Sequence, residues 1–184
     1  MRLRQSTLGV VVVLLAGLWA ITARVGLSRV RLAAGRLSVA LPDGLLPRHV
    51  SVLPPPAAEY VGVWEVSPAE ARHRLSAEFG FSQLFRAYLH GYERDGRIVH
   101  EVGSYVYRPN GLVGPNQLHV RLFPTDDGHT ELWAHWESNP NRSPIDHLRK
   151  IGYDTDEGER RLRVMLADEP LRTPDSGSRP EFAS

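Results

Sequence analysis

The sequence predicts an α+β domain: a mostly antiparallel sheet of about five strands, built on two β-hairpins, with helices on one face. Three observations predict it. Two pairs of alternating apolar and polar stretches flank glycine-bearing turns, Asp95-Gly96 and Asp126-Asp-Gly128. Ser67-Pro-Ala-Glu70 and Ser143-Pro-Ile-Asp146 both read as helix starts. A single apolar N-terminal segment stands in front of the domain and predicts one transmembrane helix.

In chain order, residues 1–6 are short and basic, and residues 7–23 are almost continuously apolar. That length sits near the lower limit of about 17 residues for a spanning helix. Ile21-Thr22-Ala23 is a poor cleavage site, so an uncleaved single-pass anchor is expected rather than a removed signal. Residues 24–58 form a basic juxtamembrane segment followed by a proline-rich linker. The helix continues there along the membrane surface, or else Leu37, Val39 and Leu41 begin a strand. The globular domain is expected over residues 59–170, more naturally on the extracytoplasmic side, and residues 171–184 form a small, polar, disordered tail.

Within the domain, Tyr60–Val66 has the composition of a strand. Ser67 caps a helix over Pro68–Phe79, with Ala71, Leu75 and Phe79 on one stripe and Gly80 ending it. Asp95-Gly96 then turns a hairpin that pairs Arg94 with Arg97. Extending this register pairs Tyr92 with Val99, His90 with Glu101, Arg86 with Tyr105 and Phe85 with Val106.

The central hairpin runs from Gln117 to Glu137. Its three-residue loop ends in Gly128, which suits a left-handed residue and pairs Thr125 with His129. The resulting register sets Leu122 against Leu132, Val120 against Ala134 and Leu118 against Trp136 on one apolar face. The opposite face pairs Phe123 with Glu131, Arg121 with Trp133, and His119 with His135. A slip of one residue would mix the two faces. Opposed in this way, the imidazoles have Cβ atoms roughly 5 Å apart. A short helix then starts at Ser143 and ends by Gly152, and a last one covers about Asp156–Asp168, with Glu157/Arg161 and Glu159/Arg163 paired on its surface.

Composition narrows the chemistry. The chain has 184 residues and no cysteine, which removes disulfides, thiolate metal sites and a catalytic thiol. The net charge is +1, yet Arg2, Arg4, Arg24, Arg29, Arg31 and Arg36 precede every acid. The domain behind them is therefore mildly acidic, which argues against nucleic acid and for attachment to a membrane.

His119, His135 and Glu137 share one face and can hold Zn2+ with an open position, or act as an acid–base pair. The plain alternative is a solvated sheet face with no cofactor. His90, Glu101, Tyr105, Arg121 and Trp133 extend the same surface if the hairpins join side by side, and such a face suits a planar or anionic ligand or a protein partner. Familiar signatures are incomplete: His100-Glu-Val-Gly-Ser104 lacks the second histidine of a zinc-protease helix, and no phosphate loop or nucleophile elbow occurs. The leading expectation is a prokaryotic membrane-anchored binding module using this His/Tyr/Trp face. The alternatives are a small metal-dependent or acid–base enzyme centred on His119, His135 and Glu137, and a structural subunit of a membrane complex.

Overall fold

The computed structural model of the chain describes residues 53–84 and 90–173, together with Gly17, Trp19, Arg29, Val30, Ala33 and Leu37, which are helical. The helical state of Leu37 replaces the strand considered there. Most of the expected anchor, like Phe85 and Arg86 and the end of the tail, lies outside the described residues. Among the described residues no helix is long and apolar enough to cross a membrane.

Two nine-residue strands form the centre, β6 (Asn116–Pro124) and β7 (Thr130–Ser138). Their register is the one that burial and loop length predict, with His119 opposite His135 and Arg121 opposite Trp133. Gly128 has φ 85° and the Thr125 N–H donates to the His129 carbonyl at 3.0 Å, which closes the three-residue loop. Around this pair the sheet has six strands rather than five. β5 (Gly103–Tyr107) flanks β6, and β1 (Tyr60–Trp64) flanks β7, with β2 (Ser82–Gln83) and β8 (Leu171–Arg172) at the edges. All pairs are antiparallel. The first residues of the expected disordered tail thus form an edge strand.

The Asp95-Gly96 hairpin keeps its predicted register but not its predicted length. β3 (Gly91–Arg94) and β4 (Arg97–His100) form a separate two-stranded sheet. Beyond Glu101 the chain leaves the hairpin: Val102 donates to the Leu122 carbonyl, and β5 takes Ser82–Gln83 as its outer neighbour. Val106 therefore pairs with Ser82, and Tyr105 with Gln83, instead of with Phe85 and Arg86. The physical reason is that the hairpin folds over the central sheet rather than lying beside it. Tyr92 is buried, and Val99 partly buried, against Phe123 and Trp133.

One sheet face is the apolar core. Leu118, Val120, Leu122, Leu132 and Ala134 meet Val61 and Trp64 from β1, and two helices cover them. The first, α1 (Pro68–Ala77), starts where the Ser67 hydroxyl accepts from the Glu70 N–H and stops at Gly80, φ 70°, with Phe81 donating back to the Leu75 carbonyl. A short α2 (Pro144–Leu148) follows β7. Next, α3 (Thr155–Met165) is capped by Asp154 and carries the predicted Glu157–Arg161 and Glu159–Arg163 pairs. Ala71, Leu75, Leu162 and Leu166 are its contribution, with α1, to the core.

Where β1 ends, Asp154 takes over as the neighbour of β7, exchanging two 2.8 Å hydrogen bonds with Trp136. This draws α3 so close that a Cβ on Gly158 would stand 2.6 Å from the His135 carbonyl carbon. Gly158→Ala must push α3 off β7, because backbone cannot yield as a side-chain tip does. Urea denaturation should show a loss of about 2 kcal/mol or more. Val164→Ala, on the exposed side of the same helix, should stay within about 0.5 kcal/mol. Equal effects would mean that the contact is not tight.

Candidate functional site

Alternation along β6 and β7 puts His119, Arg121 and Phe123 beside Glu131, Trp133, His135 and Glu137 on the second face of the sheet. That face is not solvated. Every one of these side chains is buried, and the face divides into two ends of different chemistry.

At one end Tyr60, Tyr92, Phe123 and Trp133 pack ring against ring under the β3–β4 hairpin. Glu131 anchors them: the Tyr92 hydroxyl donates to it, Arg94 donates at 2.6 Å, and the Trp133 indole N–H at 3.4 Å. Trp133 is thus part of a closed aromatic cluster, and Tyr105 sits on the other face in the apolar core. Both are buried, unlike the open aromatic face expected from sequence.

At the other end the polar groups converge. The 3-10 turn Ala57–Glu59 ahead of β1 buries the Glu59 carboxylate. Arg121 donates to it through Nη1, and so does the Tyr153 hydroxyl. His135 lies between two carboxylates, with Nδ1 3.2 Å from Glu59 and Nε2 3.1 Å from Glu137. Its ring also stacks on Tyr153, centroids 4.7 Å apart. His119 reaches Glu137 with Nδ1 at 3.7 Å and the Ser104 hydroxyl with Nε2 at 2.8 Å. Gln117, two residues before His119, donates to Glu137 at 2.6 Å. From α2, His147 places Nδ1 3.2 Å from Glu137. One carboxylate therefore faces three imidazoles.

Electrostatics follow from burial and these partners. Burial alone would raise the Glu59 carboxyl, but the Arg121 charge and the His135 and Tyr153 hydrogen bonds reverse this and hold it at about 2. Glu137 is likewise held well below the usual carboxylate range, because hydrogen bonds with His135 and His147 outweigh its burial. Burial, then the charge of Arg121, push His119 far down and His90 down. His147 goes up, mainly through its hydrogen bond to Glu137.

This end opens to solvent through a pocket of about 320 Å3 whose polar floor includes Glu59, Arg121, His135 and Glu137. His90 lines it too, with Glu101 behind, Nδ1 to carboxylate 3.4 Å. Its wall includes Leu53 and Pro54, which sequence placed in the linker. They pack on the domain because Leu53 bridges to His90 and its carbonyl accepts from Gly91.

Of the residues singled out by sequence, His119, His135, Glu137, Arg121, His90 and Glu101 come together. Glu59, Ser104, Gln117, His147 and Tyr153 were missed. Gln117 was legible by alternation with His119; Glu59, His147 and Tyr153 lie in turns or a short helix and carry no sequence signal for this face. Fold and site together define a small α+β domain with a buried His/Glu centre at the floor of a pocket. Comparison with protein-family models, curated proteins and solved structures finds no match.

Because the folded Glu59 carboxyl titrates at about 2 against an ordinary 4.5, its stabilisation is complete above pH 4.5 and is lost as pH falls toward 2. Glu59→Gln should lower stability at neutral pH and flatten the acid decline over that window, measured by urea denaturation at pH 7 and pH 3. An acid decline as steep as the parent's would show that Glu59 is not ionised by these contacts.

Proposed function

We propose that the protein is a small metal-dependent enzyme whose divalent ion, Zn2+ by ligand chemistry, is held by His119, His135 and Glu137. One observation carries the reading: these side chains bring three ligand atoms within 4.8 Å of one another, and both imidazoles are braced from behind. His119 has Ser104 on its other nitrogen at 2.8 Å, and His135 has the Glu59 carboxylate at 3.2 Å. A hydrogen bond on the remote nitrogen fixes ring orientation, and a carboxylate there raises ligand basicity, which is the usual outer support of a zinc histidine. Ligands around a tetrahedral zinc at about 2 Å stand about 3.3 Å apart, so loading draws the two rings slightly together.

Charge supports the same reading. Glu59, Glu101 and Glu137 are buried, as is Arg121, which pairs with Glu59, and buried charge needs compensation. Two histidines and a carboxylate leave a coordination position open, as catalytic zinc sites do. An ion there supplies Lewis acidity toward a water or a carbonyl oxygen. The chain's own groups do the rest: Arg121 and the Tyr153 hydroxyl hold Glu59 on His135, while His147 stands at the pocket wall in position to exchange protons. The domain is proposed to work behind an N-terminal membrane segment, on the extracytoplasmic side.

A binding module without chemistry is the second reading, favoured by the apolar part of the pocket wall. Calorimetric titration of the full chain with zinc chloride should show one equivalent bound. His119→Ala and His135→Ala should abolish it, and Ser104→Ala should weaken it about 10- to 100-fold, with circular dichroism confirming that each variant folds. Zinc taken up equally by the parent and His135→Ala would sink the centre. Stoichiometric zinc without turnover of ester or amide substrates would select the binding module.

A further inference from the structure

Resting on the zinc reading, the pocket itself narrows what the centre takes. We propose that its ligand is a small amphiphilic monoanion, with an oxygen head at the His135–Glu137 floor and a short hydrocarbon chain along the wall.

Three features point there. First, the pocket is built of two chemistries: against its charged floor stand Leu53, Leu148 and Ile151. These are 41%, 75% and 53% exposed, so large apolar side chains stand in water around a buried polar centre. A chain lying on them would take both surfaces out of water.

Second, the wall is preformed. α2 and the loop after it are fastened to β7 at both ends of Ser138: its carbonyl faces His147 Nδ1 at 3.1 Å, and its hydroxyl donates to the Ile151 carbonyl at 2.7 Å. Lys150 at φ 56° and Gly152 at φ 73° turn the chain between these points. An apolar wall held this way binds without first ordering a loop.

Third, charge selects an anion. With a divalent ion in place, that ion, Arg121 and the other cationic groups facing Glu59 and Glu137 offset the buried carboxylates. Among the described residues, Lys150, exposed at the mouth with Nζ 5.3 Å from the Tyr153 ring centre, adds a positive charge there. One negative head neutralises it. The pocket, about 320 Å3, has room for a short acyl chain and its head.

The test uses two metal-binding probes, acetohydroxamate and hexanohydroxamate, titrated into the zinc-loaded full chain. They differ by four methylenes, and each methylene taken out of water is worth about fourfold in affinity. The six-carbon probe should bind at least tenfold more tightly. Leu148→Ser should bring that ratio below threefold with zinc affinity unchanged, and Lys150→Met should weaken both probes alike. Equal affinities in the parent chain, or a ratio indifferent to Leu148→Ser, would overturn the amphiphile while leaving the zinc centre standing. Failure of the chain to take up zinc would overturn both.

Discussion

The ion pair between Glu59 and Arg121 is the contact on which the second face of the sheet depends. Both groups are buried, and taking two charges out of water costs several kcal/mol each unless they meet and their remaining polar atoms are satisfied. Glu59 answers this by accepting from Arg121 and Tyr153 while facing His135. Arg121 sits mid-strand in β6, whereas Glu59 and Tyr153 come from either side of the domain. Their meeting fixes the turn before β1 and the loop before α3 against the centre of the sheet, and with them the back of His135.

The two faces of one sheet are held by different physics. Under the helices, apolar side chains fill the space, and each is replaceable by another of like volume at modest cost. Under the β3–β4 hairpin and the Leu53–Glu59 segment, polar groups are removed from water and are specific about their partners. The aromatic end is filled by its own rings, with Glu131 held by Tyr92 and Arg94. The histidine end does not close, and a pocket reaches its floor. A buried network of mutually braced imidazoles and carboxylates that still meets solvent is the feature on which the proposed function rests.

The close approach of α3 to β7 links these faces. Gly158 lets the helix rest on the backbone of His135 and Trp136, and Arg161 covers the Trp136 ring with its guanidinium carbon 3.8 Å from the centroid. The strand that carries His135 and Glu137 is thereby clamped from the apolar side as well. Packing on the face the histidines do not occupy thus adds to their bracing by Glu59 and Ser104.

Sequence alone determined the centre of the molecule. Period-two alternation and a three-residue glycine loop fixed the β6–β7 register, and so put His119 opposite His135 with Glu137 alongside. Ser-Pro starts at two helices, a C-terminal glycine and paired charges placed the helices to within a few residues. Those are local rules, in which each residue's face follows from its neighbours in the chain. Only the tertiary structure decided what covers that face. The same Asp95-Gly96 hairpin pairs identically near its turn whether it extends the sheet or folds over it, so burial of the polar face was not legible. Nor were Glu59, His147 and Tyr153, which reach the site through turns and a short helix that have no periodic face. Alternation tells which side chains share a surface; packing between distant segments decides whether water, a hairpin or a pocket lies over it.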